Sequence, residues 1–109
     1  MDGNGLRMDI ERRTDGRVVL RPREDRIDGA VSLDLRRAAL AEIEAGCRAM
    51  TIDLSAVDFM DSSGLAVLVS IHKRLAGQGG LDLVGLGPRL RRLFELTRLD
   101  QVFRLPAAE

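Results

Sequence analysis

The sequence predicts an α/β fold, a mixed β-sheet of four to five strands covered by α-helices. Two observations carry the class. Short segments in which apolar and polar residues alternate take turns with longer ones in which apolar residues recur every three or four positions. The first two extended segments follow one another across an Asp15-Gly16 turn, while the later ones are separated by helical stretches, so antiparallel and parallel pairing are expected in one sheet. At 109 residues the chain has room for one such domain, with its core expected from about residue 8 to 105.

Taken in order, Met8 and Ile10 alternate with Asp9 and Glu11, and Val18-Val19-Leu20 resumes the extended pattern after the turn, which reads as a hairpin. Pro22 and the charged run RPREDRID end that strand and turn the chain before Ile27. From Val31 to Ala45, the apolar residues Leu33, Ala38, Leu40, Ala41 and Ile43 at helical spacing predict a first helix, with Ser32 as a cap and Gly46 as its close. Met50, Ile52 and Leu54 alternate with Thr51, Asp53 and Ser55, a strand with one buried face. A second helix follows DFMDSSG, with Leu65, Leu68, Val69, His72 and Leu75 on one stripe, and Gly77 to Gly80 end it. Leu81, Leu83 and Leu86 predict another strand. Pro88 opens a third helix whose Leu90, Leu93, Phe94 and Thr97 are expected to face inward, and a last short strand is expected at Val102 to Leu105.

Composition narrows the function classes. The 17 basic and 17 acidic residues cancel, so the molecule lacks the cationic excess of a dedicated binder of nucleic acid or anionic membranes, and no direct nucleic-acid partner is expected. The apolar stretch Gly64 to Ile71 is far too short to span a bilayer, and MDGNGLRMDIERR holds no apolar signal core, so no membrane insertion and a cytoplasmic address are expected. Cys47 is the sole cysteine and His72 the sole histidine. Neither a disulfide, a clustered metal site nor any cofactor is expected from them.

The sharpest local feature is Asp58-Phe59-Met60-Asp61-Ser62-Ser63-Gly64-Leu65, set where a strand gives way to a helix. Asp61 or Ser62 can cap that helix by accepting from its unpaired first-turn amides, and a cap alone accounts for the residue types. Two hydroxyls at the positive end of a helix also suit a phosphoacceptor, because a phosphate on Ser62 would add about −1.5 to −2 charge where the helix tolerates it. A serine nucleophile is the enzymatic rival. It fails for want of a base: His72 lies ten residues along the same helix, about 15 Å away at 1.5 Å per residue. Gly85-Leu86-Gly87 lacks the third glycine of a dinucleotide fingerprint and reads as a turn before Pro88. Arg89, Arg91, Arg92 and Arg98 read as a solvated basic face, since no aromatic residue among them offers a stacking platform.

The segments TIDLSAVDFMDSSGLAVLVSIHKRL, GPRLRRLFELTRLDQVF and, more weakly, RIDGAVSLDLRRAAL resemble the STAS domains, and within them the single-domain anti-sigma-factor antagonists. The resemblance implies the STAS type of mixed sheet and a protein-binding switch in place of an enzyme. The unphosphorylated form would bind an anti-sigma factor that is also a serine kinase, releasing a sigma factor. Phosphorylation of Ser62 would abolish that binding, and a serine phosphatase of the metal-dependent class would restore it. By the same match Asp28, Asp61, Ser62, Ser63, Gly64 and Leu65 form the partner-binding surface. An accessory or scaffold role in a lipid ABC transporter or a stress-signalling complex is the alternative that the resemblance allows. Val31 stands where the family commonly has a capping Thr or Asn, and Arg98 stands where it frequently has glycine after the third helix.

Overall fold

The computed structural model describes residues 7–103 and 105. Its elements run β1 (Met8–Arg12), β2 (Val18–Pro22), β3 (Arg26–Ile27), α1 (Gly29–Glu44), β4 (Ala49–Asp53), β5 (Phe59–Met60), α2 (Ser62–Leu75), β6 (Gly80–Val84) and α3 (Pro88–Leu96), followed by a 3₁₀ turn over Leu99–Gln101. Four strands form a mixed sheet in the order β1-β2-β4-β6. β1 is antiparallel to β2, with Ile10 opposite Leu20, whereas β4 lies parallel to both β2 and β6. The α/β class and the mixed sheet are therefore those the sequence predicts.

The hairpin closes as its turn residues require. Gly16 sits at φ 91°, where a side chain would be strained, the Asp15 carboxylate accepts from the Arg17 amide at 2.9 Å, and the Arg13 amide donates to the Arg17 carbonyl at 2.9 Å. In β4 and β6, Met50, Ile52, Leu81 and Leu83 are buried while Thr51, Asp53 and Asp82 are not, so one face of the sheet carries the core. The opposite face is roofed by charge. Arg17 bridges Thr51 and Asp82, Arg21 bridges Glu11 and Asp53, and between them Val19 is buried outside the main core.

The helices present different faces from those expected. α1 buries Ser32, Leu35, Ala39 and Glu42 and leaves Leu33 43% exposed. Two of those buried positions are polar, which hid the stripe in the sequence, and each is satisfied. The Ser32 hydroxyl donates to the Gly29 carbonyl at 2.8 Å, and Glu42 takes a two-pronged ion pair from Arg12 at 2.9 and 2.6 Å, which raises the Arg12 pKa. Ser32 is thus an interior residue of α1, and the residue at the cap position is Asp28. α2 buries Gly64, Val67, Leu68, Ile71 and Leu75, a stripe turned by about one residue from the expected one, with His72 at its border against Phe103. In α3, Leu90 and Phe94 are buried, but Thr97 is exposed and its hydroxyl donates to the Leu93 carbonyl.

The expected last strand is replaced. The Val102 and Phe103 amides both donate to the Leu99 carbonyl, which bends the chain and drives the Phe103 ring into the core, edge-on to Phe94 and His72. Arg104 in that expected strand lies outside the described residues. Cys47 is buried, and burial pushes its thiol pKa up, so it fills space as a neutral group.

Candidate functional site

The serine turn is positioned by a short structure the sequence pattern does not reveal. β3 and β5 form a separate parallel pair, Arg26 opposite Phe59 and Ile27 opposite Met60. Its anchors are apolar, since Ile27 and Met60 are both buried in the core. The ladder is extended by the Asp58 and Phe59 amides, which donate to the Asp25 carbonyl, and by the Asp61 amide, which donates to the Ile27 carbonyl. Each strand then delivers its next residue, Asp28 or Asp61, as the extended N-cap of a helix. The starts of α1 and α2 therefore emerge side by side. A signal for this lay in the sequence: Ile27-Asp28-Gly29-Ala30 and Met60-Asp61-Ser62-Ser63 share the order apolar, Asp, small, small.

The two caps differ. Asp61 accepts from the Gly64 amide at 3.1 Å, and its carbonyl accepts from the Leu65 amide at 3.1 Å, so the first turn of α2 is fixed by its own residues. The Asp28 carboxylate makes no such bond and is exposed, leaving it to solvent or a partner. With Asp61 as the cap, Ser62 is freed from that duty. It is the first residue of α2, exposed, and among the described residues its hydroxyl has no hydrogen-bond partner. The amides of Ser62 and Ser63 have no acceptor within the helix, which gives an anion on this turn a favourable field.

Of the other residues expected at the surface, Ser63 is exposed and Leu65 half-buried against the core, while Gly64 is buried. Gly64 is there for closeness: a Cβ would stand 2.9 Å from the Ile27 carbonyl oxygen and 3.3 Å from the Met60 Cβ. It lets α2 start directly on the β3–β5 pair and does not itself offer a side chain to a partner. Sequence reasoning missed Phe59 and Arg26 beside the turn, where the guanidinium lies 4.8 Å from the ring centre. Among the described residues no three His, Cys, Asp or Glu side chains are gathered to hold a metal ion, and no helix is long and apolar enough to cross a membrane.

A family model described as STAS domain matches residues 9–109. The anti-sigma-B factor antagonist of Listeria monocytogenes is 44% identical over 61 residues, covering 55% of this chain and 54% of that protein. That of Bacillus subtilis is 44% identical over 69 residues, covering 62% and 61%. The chain thus spans only about half to three fifths of the length of these curated relatives. Among solved structures, an anti-sigma factor antagonist from Mycobacterium paratuberculosis superposes with a TM-score of 0.81 at 33% identity, covering 95% of this chain and 87% of that one.

Proposed function

Because the chain belongs to the STAS domain family, we propose that it is an anti-sigma-factor antagonist whose partner binding is controlled by phosphorylation of Ser62. In this reading it acts in the cytoplasm as a regulatory binding protein. Its unphosphorylated form docks Asp28, Asp61, Ser62, Ser63 and Leu65 on an anti-sigma factor that is also a serine kinase, with Gly64 packing the turn from beneath. A sigma factor is released. The kinase then transfers the γ-phosphoryl group of ATP to the Ser62 oxygen, whose proton is lost, and a metal-dependent serine phosphatase hydrolyses the phosphoester to reset the cycle.

The observation that carries this reading is the division of labour between Asp61 and Ser62. The aspartate caps α2, and the serine hydroxyl stands exposed at the helix entrance without a structural task. A phosphate there gains from the helix amides, so the domain keeps its fold, while a partner packed on the turn meets a bulky dianion. Asp61 beside it and Asp28 on the adjoining helix start add to the negative charge that the phosphate would bring to this corner. Incubation with the cognate anti-sigma kinase and ATP, followed by peptide mass spectrometry, tests the assignment. One phosphate on Ser62 and none on Ser62→Ala is the expected result; a phosphate on Ser63 or elsewhere overturns it.

A further inference from the structure

The helix α3 carries the most exposed of the large apolar side chains among the described residues, Leu96 at 71%. It does not stand alone. Between α3 and β5 lies a groove of about 230 Å³ lined by Asp58, Phe59, Arg89, Arg92, Leu93 and Leu96. Its walls are Phe59, Leu93 and Leu96, and its rim is cationic. Among the lining residues Arg89 is paired with Asp58 at 3.2 Å, which leaves the charge of Arg92 in excess, and just outside the lining Arg26 adds a second cation over the Phe59 ring. On a molecule whose formal charges cancel, that excess is a local property of this face. Elsewhere the comparable apolar surface is thinner: Ile10 and Leu33 are each less than half exposed.

The groove is also continuous with the serine turn. Phe59 precedes Ser62 by three residues, so the two lie within about 10 Å even for fully extended chain. A specific interface covers roughly 800 Å² per partner, a disc about 16 Å in radius. A protein seated on Ser62 can therefore reach Phe59 and α3.

We propose that the α3–β5 groove is the second half of the partner interface, taking an apolar side chain flanked by carboxylates from the protein that binds the serine turn. The inference rests on the reading of Ser62 given above. The groove supplies the apolar anchor and Arg26 and Arg92 supply charge complementarity, so the two contributions separate in kinetics. Loss of the anchor speeds dissociation, whereas reversal of a rim charge slows association and weakens its salt dependence.

The test is surface-plasmon binding of the full chain to the purified anti-sigma kinase loaded with a non-hydrolysable ATP analogue, using the unaltered protein, Leu96→Glu, Arg92→Glu and Ser62→Asp. Both side chains changed on α3 are exposed, so circular dichroism should show unaltered melting. Leu96→Glu is expected to weaken binding about tenfold or more through faster dissociation, and Arg92→Glu to slow association. Loss with Ser62→Asp but unchanged binding by both α3 variants overturns the groove alone. No binding by the unaltered protein contradicts the Ser62 reading and the groove together. A concentration-dependent dimer in the ultracentrifuge that Leu96→Glu makes monomeric assigns the groove to self-association and also overturns the proposal.

Discussion

A single residue can show what a family position requires. Arg98 follows α3 at φ 61°, ψ 20°, the left-handed region, and is the one non-glycine residue at positive φ among the described residues. Its amide donates to the Glu95 carbonyl and its own carbonyl accepts from Gln101, so the conformation is fixed from both sides. The family resemblance implies glycine where this chain has arginine, and the backbone shows why glycine suits the place. The left-handed form costs a residue with a Cβ about 1–2 kcal/mol, and glycine gives back part of this through its freer unfolded chain. Arg98→Gly is expected to raise stability by about 0.5–1 kcal/mol in urea titration; a loss of that size would mean the Arg98 side chain holds something the backbone does not explain. That Asp61 or Ser62 caps α2 was legible at this scale because cap chemistry is local, whereas the close packing of Gly64 was not. That Asp61 does the capping and leaves Ser62 idle is a matter of coordinates, since both residue types can cap.

Elements were legible where periodicity is carried by apolar residues. β4 and β6 alternate and form within the stretches that the pattern marks, although Leu54, Ser55 and Leu86 lie beyond their ends, and the hairpin forms about its turn although Val18, Val19 and Leu20 are all buried. The face of α1 was not legible, because Ser32 and Glu42 face inward with hydrogen bonds that no hydropathy pattern announces. The β3–β5 pair escaped for another reason: two residues per strand are too few for a period, and the pairing joins positions 33 apart in sequence. Gly64 is the close contact on which that pair and α2 meet. Gly64→Ala should cost about 1–3 kcal/mol, seen as a lower urea midpoint, because the new methyl group is forced toward the Ile27 carbonyl. An unchanged midpoint would show that α2 can shift freely on the pair.

The hairpin carries its own pH dependence. A hydrogen bond from Arg21, helped by Arg13, holds the Glu11 carboxyl below its usual pKa, even though partial desolvation pushes the other way. A carboxyl whose folded pKa is lowered binds its proton more tightly when unfolded. Its contribution is therefore present above the unfolded value and is lost as pH falls through the lowered folded value. Glu11→Gln should leave stability at the lowest pH unchanged and lower the neutral plateau by a small amount, because the pair is exposed and screened, so that the acid limb becomes slightly flatter. A steeper acid limb in the variant would contradict the pairing.

At the scale of the whole molecule, the sheet divides the labour. One face holds the core under the helices, the other is roofed by the Arg17, Arg21, Glu11, Asp53 and Asp82 ion pairs, and the surface proposed for a partner is the edge where α1 and α2 begin. The mixed topology was legible from the order of short and long periodic segments. The final turn was not, because Phe103 is drawn inward by its stacking on Phe94 and His72 and does not extend as a strand. The switch proposed for this fold asks that charge at one corner change recognition and nothing beneath it. The most direct measurement is the affinity of the anti-sigma kinase for protein stoichiometrically phosphorylated on Ser62, set against unmodified protein, with thermal melts of both. Binding is expected to be lost while the two melt within a few degrees of each other; equal affinity, or a phosphorylated form that no longer folds, would rule the switch out.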